Sequence, residues 1–430
     1  MTAEHAMTPD PGPSPHRPLH ILFVTARFPG PGPRGDQLRA YQHLRLLGPR
    51  HRITLVSFGD HAQPPASLDA VSKLCEQVVI VPPSRVAMGR SLVRGLFSRR
   101  PVQVALHDAP AMRQAVAAAL DRGPWDVVHV QLVRMAPYLP AGGRAARVVD
   151  LVDALSVNMA QRFRHDQGPA RWLARLESAR LSRYEREVCR AVDRALVASP
   201  ADREAIGPFP SLATIHNGVD VDEFAFERTG RAPAAMILSG NMGYFPNVHA
   251  VRWFARLVLP RVRRAVPGAE LRVVGARPHR ALRRLAARDP AVVVAGPVER
   301  MPPHLHQAAI AVAPLHAGSG QALKVLEAMA CGTPVVATPL VAAGIGARDE
   351  EHLLVAEGAE PFAGQVVRLL RDAALAERLA ASARRFVEAR YTWEHSAAAL
   401  EMVYRSVVRG SGLDPVPSSA AALADPRAAR

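Results

Sequence analysis

Lysine is almost missing from this sequence. Among 54 Lys plus Arg in 430 residues, only Lys73 and Lys324 are lysine, and every other cation is arginine. Cysteine is scarce as well. Cys75, Cys189 and Cys331 stand far apart without a CxxC or a His/Cys ligand spacing, which excludes a disulfide-stapled scaffold and a structural zinc site and suits a reducing, cytoplasmic setting. No apolar run reaches the roughly 18 residues of a membrane-spanning helix. The N-terminal "MTAEHAMTPDPGPSPHRP" is polar and proline-rich with no apolar h-region, so no secretion signal is expected.

Hydrophobic residues make up 49% of the chain, ample for folding, and the length exceeds what one core usually serves. Two domains are expected. The formal net charge of +16 would attract phosphates at long range. The arginines, however, accompany an excess of Ala and Pro and alternate with acids in amphipathic stretches such as "RWLARLESARLSRYEREVCRAVDRA". Nucleic acid is therefore not expected as a partner, whereas peripheral contact with the anionic inner face of the plasma membrane fits the charge.

Short β-branched runs alternate with helical stretches along most of the chain. "LHILFVTA", "HRITLVSF", "EQVVIVP", "WDVVHVQ", "ARVVDLVDA" and "RALVAS" form a first series, several apolar throughout, as strands buried on both faces must be. "LATIHNG", "AAMILSGN", "AELRVVGA", "AVVVAGPV", "IAVAPLHA" and "PVVATP" form a second. The fold class expected is α/β, two doubly wound Rossmann-like domains facing a cleft, with ligands at the carboxyl ends of the strands. The boundaries expected are disordered tails at 1–18 and 411–430, domains at 19–208 and 209–390, and a helix at 391–410 crossing back to the first domain.

The second lysine lies in "GSGQALKVLEAMACGTPVVAT", residues 318–338. A buried strand ending at Pro314 runs into the small-residue turn Gly318-Ser319-Gly320, a helix is expected from about Gln321 to Ala330, and Gly332 stops it. The amides of Gln321, Ala322 and Leu323 at that helix start can donate to an anion. Lys324 in the first turn opposes the helix dipole unless something negative binds there, and a diphosphate would satisfy it. Glu327, three residues on, shares its face and could accept hydrogen bonds from ribose hydroxyls.

Together with "HNGVDVDEF" (216–224) and "SGNMGYFPNVHAVRWF" (239–254), "KVLEAMACGTPVVAT" resembles the retaining glycosyltransferases of family 4, which have the GT-B fold. "ARFPGPGPRGDQLRAYQHL", "VVDLVDALS", "RLESARLSRYEREV" and "YTWEHS" are similar to one subgroup, the sugar transferases associated with exosortase and exopolysaccharide loci. The resemblance spans almost the whole chain between the tails. It implies a hexosyltransferase-type enzyme that moves a sugar, with retention, from a nucleotide-diphosphate sugar to a lipid-linked or oligosaccharide acceptor. It implies no metal and no cofactor beyond that co-substrate.

The family spaces two glutamates E-x7-E before "AMA". The second is Glu327, implied to bind the ribose; the first falls on Ser319, a departure at the position that contacts the donor sugar in relatives. Gly240 and Asn241 in "SGNMGYFPN" are on the donor side but bring no cation, so Lys324 becomes the candidate for the phosphate charge. In the first domain the resemblance implies an acceptor-side loop with Gly35, Asp36 and Arg39. Relatives carry a histidine near the end of the fifth strand; here Asp153 and then His129 are the candidates for a polar group near the reacting carbon. Asp220 and Asp222 match a DxD pattern formally, but their context reads as a structural turn, and no metal is expected. Two other readings stay open: a nucleotide-sugar epimerase of the same fold, and a non-catalytic nucleotide-sugar-binding scaffold.

Overall fold

The computed structural model describes residues 17–30, 35–59, 65–83, 89, 98, 100–165, 168, 170–318 and 320–410. The two stretches expected as disordered tails fall mostly outside these residues, as does Ser319. Among the described residues no helix is long and apolar enough to cross a membrane.

Strands β1 (His20–Thr25), β2 (Arg52–Phe58), β3 (Gln77–Val81), β4 (Val127–Gln131), β5 (Ala146–Val152), β6 (Arg194–Val197) and β7 (Leu212–Thr214) form one parallel sheet in the order β3-β2-β1-β4-β5-β6-β7. Strands β8 (Ala232–Ser239), β9 (Glu270–Val274), β10 (Val292–Gly296), β11 (Ala308–Ala313), β12 (Val335–Ala337) and β13 (Leu354–Val355) form a second, ordered β10-β9-β8-β11-β12-β13. β4 is buried at every position, because helices cover both faces. Each sheet reverses its winding once, between β1 and β4 and between β8 and β11. The carboxyl ends of those four strands therefore flank the two crevices where such sheets bind ligands.

β7 corrects the expected division. "LATIHNG" was expected to start the second series, but Leu212 and Thr214 pair in parallel with Ala195 and Val197, so this strand completes the first sheet. The chain crosses between domains only after it. Gly218 passes so close to the start of the last helix that a Cβ would lie 2.3 Å from the Trp393 nitrogen. That helix, Trp393–Val408, is capped by Thr392 and packs on the first domain.

Two expected site residues belong to that packing instead of the cleft. His129 is fully buried, its Nδ1 2.9 Å from the Tyr404 hydroxyl and its ring stacked on Phe23. Burial, the largest cause, pushes its pKa down to about 4, so it is a neutral core histidine. Arg39 is also fully buried: its Nε donates to Asp150 at 2.6 Å and its Nη1 to Asn217 at 2.9 Å. Arg39 ties the first sheet to the interdomain linker, its buried Nη2 meets no acceptor among the described residues, and it is not one of the residues lining the cavity between the domains.

Candidate functional site

A cavity of about 660 Å³ lies between the domains, where the loops leaving β8, β10 and β11 face the helix starts of the first sheet. The turn after β11 consists of small residues because two of its positions demand it: Gly318 has φ +140° and Gly320 φ +79°, outside the range of ordinary L residues. The opposite domain holds this turn. Gln161, on the helix Leu155–His165, donates to the Gly318 carbonyl at 2.9 Å and accepts from its amide at 2.5 Å. Asp153 stands directly against Gly320, so close that a Cβ there would meet its Oδ1 at 2.1 Å. The Gly320 amide is directed at the Asp202 carboxylate. A further interdomain bond runs from Asn158 Nδ2 to the Tyr244 hydroxyl at 2.8 Å. The cleft is closed in this structure.

The helix behind the turn spans Leu323–Ala330, two residues shorter at its start than expected. The Leu323 amide is consequently not open to an anion; it donates to the Gln321 carbonyl at 2.9 Å. Gln321 brings a side-chain donor instead. Its Oε1 accepts from the Asn217 amide at 2.7 Å, while its buried Nε2 meets no acceptor among the described residues.

Lys324 reaches across to the loop after β8. Its Nζ donates to Asn247 Oδ1, and Asn247 is itself fixed by donating to the Asn241 carbonyl at 2.8 Å. Gly240, with φ +133°, lets the lysine in: a Cβ at this position would stand 3.3 Å from Nζ. Burial pushes the Lys324 pKa down to about 8, opposed by the nearby Glu327 carboxylate. Burial likewise pushes Glu327 up to about 7, opposed by Lys324. Among the described residues neither forms an ion pair with the other within 4.0 Å. Both are desolvated charges at the cavity wall, each lacking the strong partner that normally offsets burial.

The described residues assigned to the donor side, namely Gly240, Asn241, Gly318, Gly320, Gln321, Ala322, Leu323, Lys324 and Glu327, all line this cavity. So does Gly35 from the first domain, whereas Asp36 turns away to Arg27 at 2.5 Å. Asp153 sits behind the glycine turn. Its carboxyl is pushed up to about 7, by burial first and by Asp202 next. Asp220 Oδ1 accepts the amides of Asp222 and Glu223 at 3.2 and 3.1 Å, building the turn that brings Glu223 and Phe224 to the cavity. Sequence reasoning missed Asn247, Gln161 and Arg300, a second cation on the cavity wall. "YFPN", a proline-started helix carrying an amide, was the only signal for Asn247.

Residues 234–372 match the family described as glycosyl transferases group 1. The chain is 28% identical to the glycogen synthase of Mycobacterium tuberculosis (strain CDC 1551 / Oshkosh), over 91% of this chain and 96% of that protein. Among solved structures it resembles Anabaena Alr3699/HepE in complex with UDP and glucose, with a TM-score of 0.63 and 14% identity over 90% of this chain and 100% of that one. It also resembles the sucrose-phosphate synthase of Thermosynechococcus elongatus, with a TM-score of 0.65 and 17% identity over 91% and 100%. The two facing parallel sheets are those of the GT-B fold.

Proposed function

We propose that this GT-B protein is a metal-independent, retaining glycosyltransferase that uses a nucleotide-diphosphate sugar and acts in exopolysaccharide or cell-surface glycan assembly. The family match and the glycosyltransferase relatives support the transferase reading. A neighbour holding UDP and glucose supports the nucleotide sugar. The observation that carries it is the lysine held by Asn247 against Gly240, one helical turn from Glu327 at the cavity wall.

In this reading the diphosphate lies between the loop after β8 and the glycine turn, next to Lys324 and the Gln321 Nε2 donor. Glu327, ionised, accepts from the ribose hydroxyls. The bond from the anomeric carbon to the diphosphate oxygen breaks while the acceptor oxygen bonds to the same face. The acceptor proton passes to the leaving diphosphate, whose growing charge the ammonium stabilises. The closed cleft keeps water from taking the acceptor's place.

The two pKa shifts give this reading a pH signature. The binding form needs charged Lys324 and ionised Glu327. Lys324 loses its proton as pH rises through about 8, and Glu327 gains one as pH falls through about 7, so affinity for UDP-glucose is expected to peak between them. Glu327→Gln should flatten the acidic limb. Calorimetric titration across pH with a panel of UDP-, GDP- and ADP-sugars checks both the profile and the base. A flat profile would sink the site assignment, and donor isomerised without an acceptor would favour the epimerase reading.

Peripheral contact with an anionic membrane completes the proposal. The helix Ala170–Ala191 exposes Trp172, Leu173 and Leu176 at 54%, 49% and 47%. The Arg171 and Arg175 guanidinium carbons lie 5.1 and 5.7 Å from the Trp172 ring centre. Two of the helix's three acids turn inward: Glu177 accepts the amides of Val102 and Gln103 at 3.0 Å, and Glu185 that of Ser156 at 3.0 Å. Glu187 stays exposed beside Arg183, near the other end of the helix from Trp172. The apolar and cationic face around Trp172, with Glu177 withdrawn, suits anionic lipid. Replacing Trp172, Leu173 and Leu176 together by Ala is expected to weaken co-sedimentation with phosphatidylglycerol vesicles by about tenfold. Equal sedimentation of variant and wild type would refute the surface.

A further inference from the structure

The second sheet's crevice is the donor cavity; the first sheet has a crevice of its own, between the carboxyl ends of β1 and β4. Arg27 follows β1 and Arg134 follows β4, in the 3-10 turn Val133–Tyr138. Arg27 donates to Asp36 at 2.5 Å, the residue next to Gly35 on the cavity wall. Arg134 has no such partner. Its Nε is buried, and no hydrogen bond or ion pair reaches its guanidinium among the described residues. One carboxylate, already engaged, stands against two guanidinium ions.

The surroundings register that surplus. Burial pushes Arg134 down to about 10, with the Arg27 charge adding to the shift. His107, whose Nδ1 donates to the Gln103 carbonyl at 2.9 Å, is pushed down to about 4 by burial and then by Arg134 and Arg27. The imidazole is thereby kept neutral in a field of positive sign. A half-buried guanidinium whose Nε is closed to solvent and unpartnered destabilises the free protein, and an oxyanion that fills its planar fork would reverse that.

We propose that this crevice is an oxyanion subsite for the acceptor, in which Arg134, with Arg27 beside it, receives a phosphate that the acceptor carries. The inference rests on the transferase reading above and adds to it the charge of the acceptor. It also assigns the two basic sites different ligands: Lys324 the donor diphosphate, Arg134 the acceptor phosphate.

The test uses the full chain saturated with UDP, so that the donor site is blocked, and titrates it with geranyl diphosphate. Arg134→Gln is expected to bind geranyl diphosphate at least about tenfold more weakly than wild type, a loss typical of charge-assisted bonds, with UDP affinity unchanged. Arg134→Met should raise the melting temperature of the free protein by about 2–4 °C and abolish the rise that geranyl diphosphate gives wild type. Equal geranyl diphosphate affinity in wild type and Arg134→Gln, or none in either, would overturn the subsite. Inorganic pyrophosphate competing as well as geranyl diphosphate would overturn its assignment to an acceptor. Failure of UDP itself to bind would instead sink the donor-site reading, and the comparison of wild type with Arg134→Gln on geranyl diphosphate alone would still decide the subsite.

Discussion

Lys324→Ala is expected to weaken UDP binding about 10- to 100-fold and to lower kcat/KM by about 10²- to 10³-fold. The second loss exceeds the first because the leaving diphosphate carries more charge in the transition state than in the bound donor, so the ammonium contributes most there. The fold should tolerate the change. Removing the side chain leaves Asn247 Oδ1 without its donor but also takes a charge out of a desolvated wall, two effects of opposite sign and similar size, each on the order of 1–3 kcal/mol. Lys324→Arg should not rescue activity. Even a single added Cβ at Gly240 would lie 3.3 Å from Nζ, so the space around the ammonium is narrow, and a guanidinium fork needs more room. Calorimetry with UDP and steady-state kinetics separate the two losses, and unchanged UDP affinity in Lys324→Ala would end the diphosphate assignment.

That crowding explains why an arginine-rich chain keeps a lysine here, and it shows how far a sequence carries. The strand runs were legible because strands buried on both faces must be apolar along their length, as β4 and β8 largely are. The glycine turn was legible because φ values such as that of Gly320 exclude most other residues. β7 was not, because three residues at a sheet edge look the same whichever sheet they join. Arg39 and His129 were misread for another reason. Arg39 was placed by the resemblance of its loop and His129 by its position near a strand end, while long-range partners place them in the core: Asp150 and Asn217 for Arg39, Tyr404 for His129. Such partners lie 111 to 275 positions away, and no local spacing encodes them. Asn247 was missed on the same ground, since its role depends on a lysine 77 residues later.

Gly320→Ala is expected to abolish most transfer, with a fall in kcat/KM of at least about 10²-fold. Two costs combine. Alanine at φ +79° is strained by about 1–2 kcal/mol wherever it stands. Its Cβ would also lie 2.1 Å from Asp153 Oδ1 and 2.8 Å from its Cγ, so one partner must move. The backbone of Asp153 cannot easily yield, because it directly follows β5 and its amide is bonded to the Leu151 carbonyl at 2.8 Å. The turn is the softer partner, and retreating would break its two bonds to Gln161 and draw the closed cleft apart. The steric share can be isolated. With Asp153→Ala in the background, the clash vanishes while the φ strain remains, so Gly320→Ala should then cost far less, and the two substitutions should be strongly non-additive in both melting temperature and UDP affinity. Additive effects would mean that Gly320 matters only for its own backbone and that Asp153 does not set the approach of the two domains. Non-additivity would identify Asp153 as the stop against which the glycine turn closes, a positioning role that needs no contact with the reacting carbon.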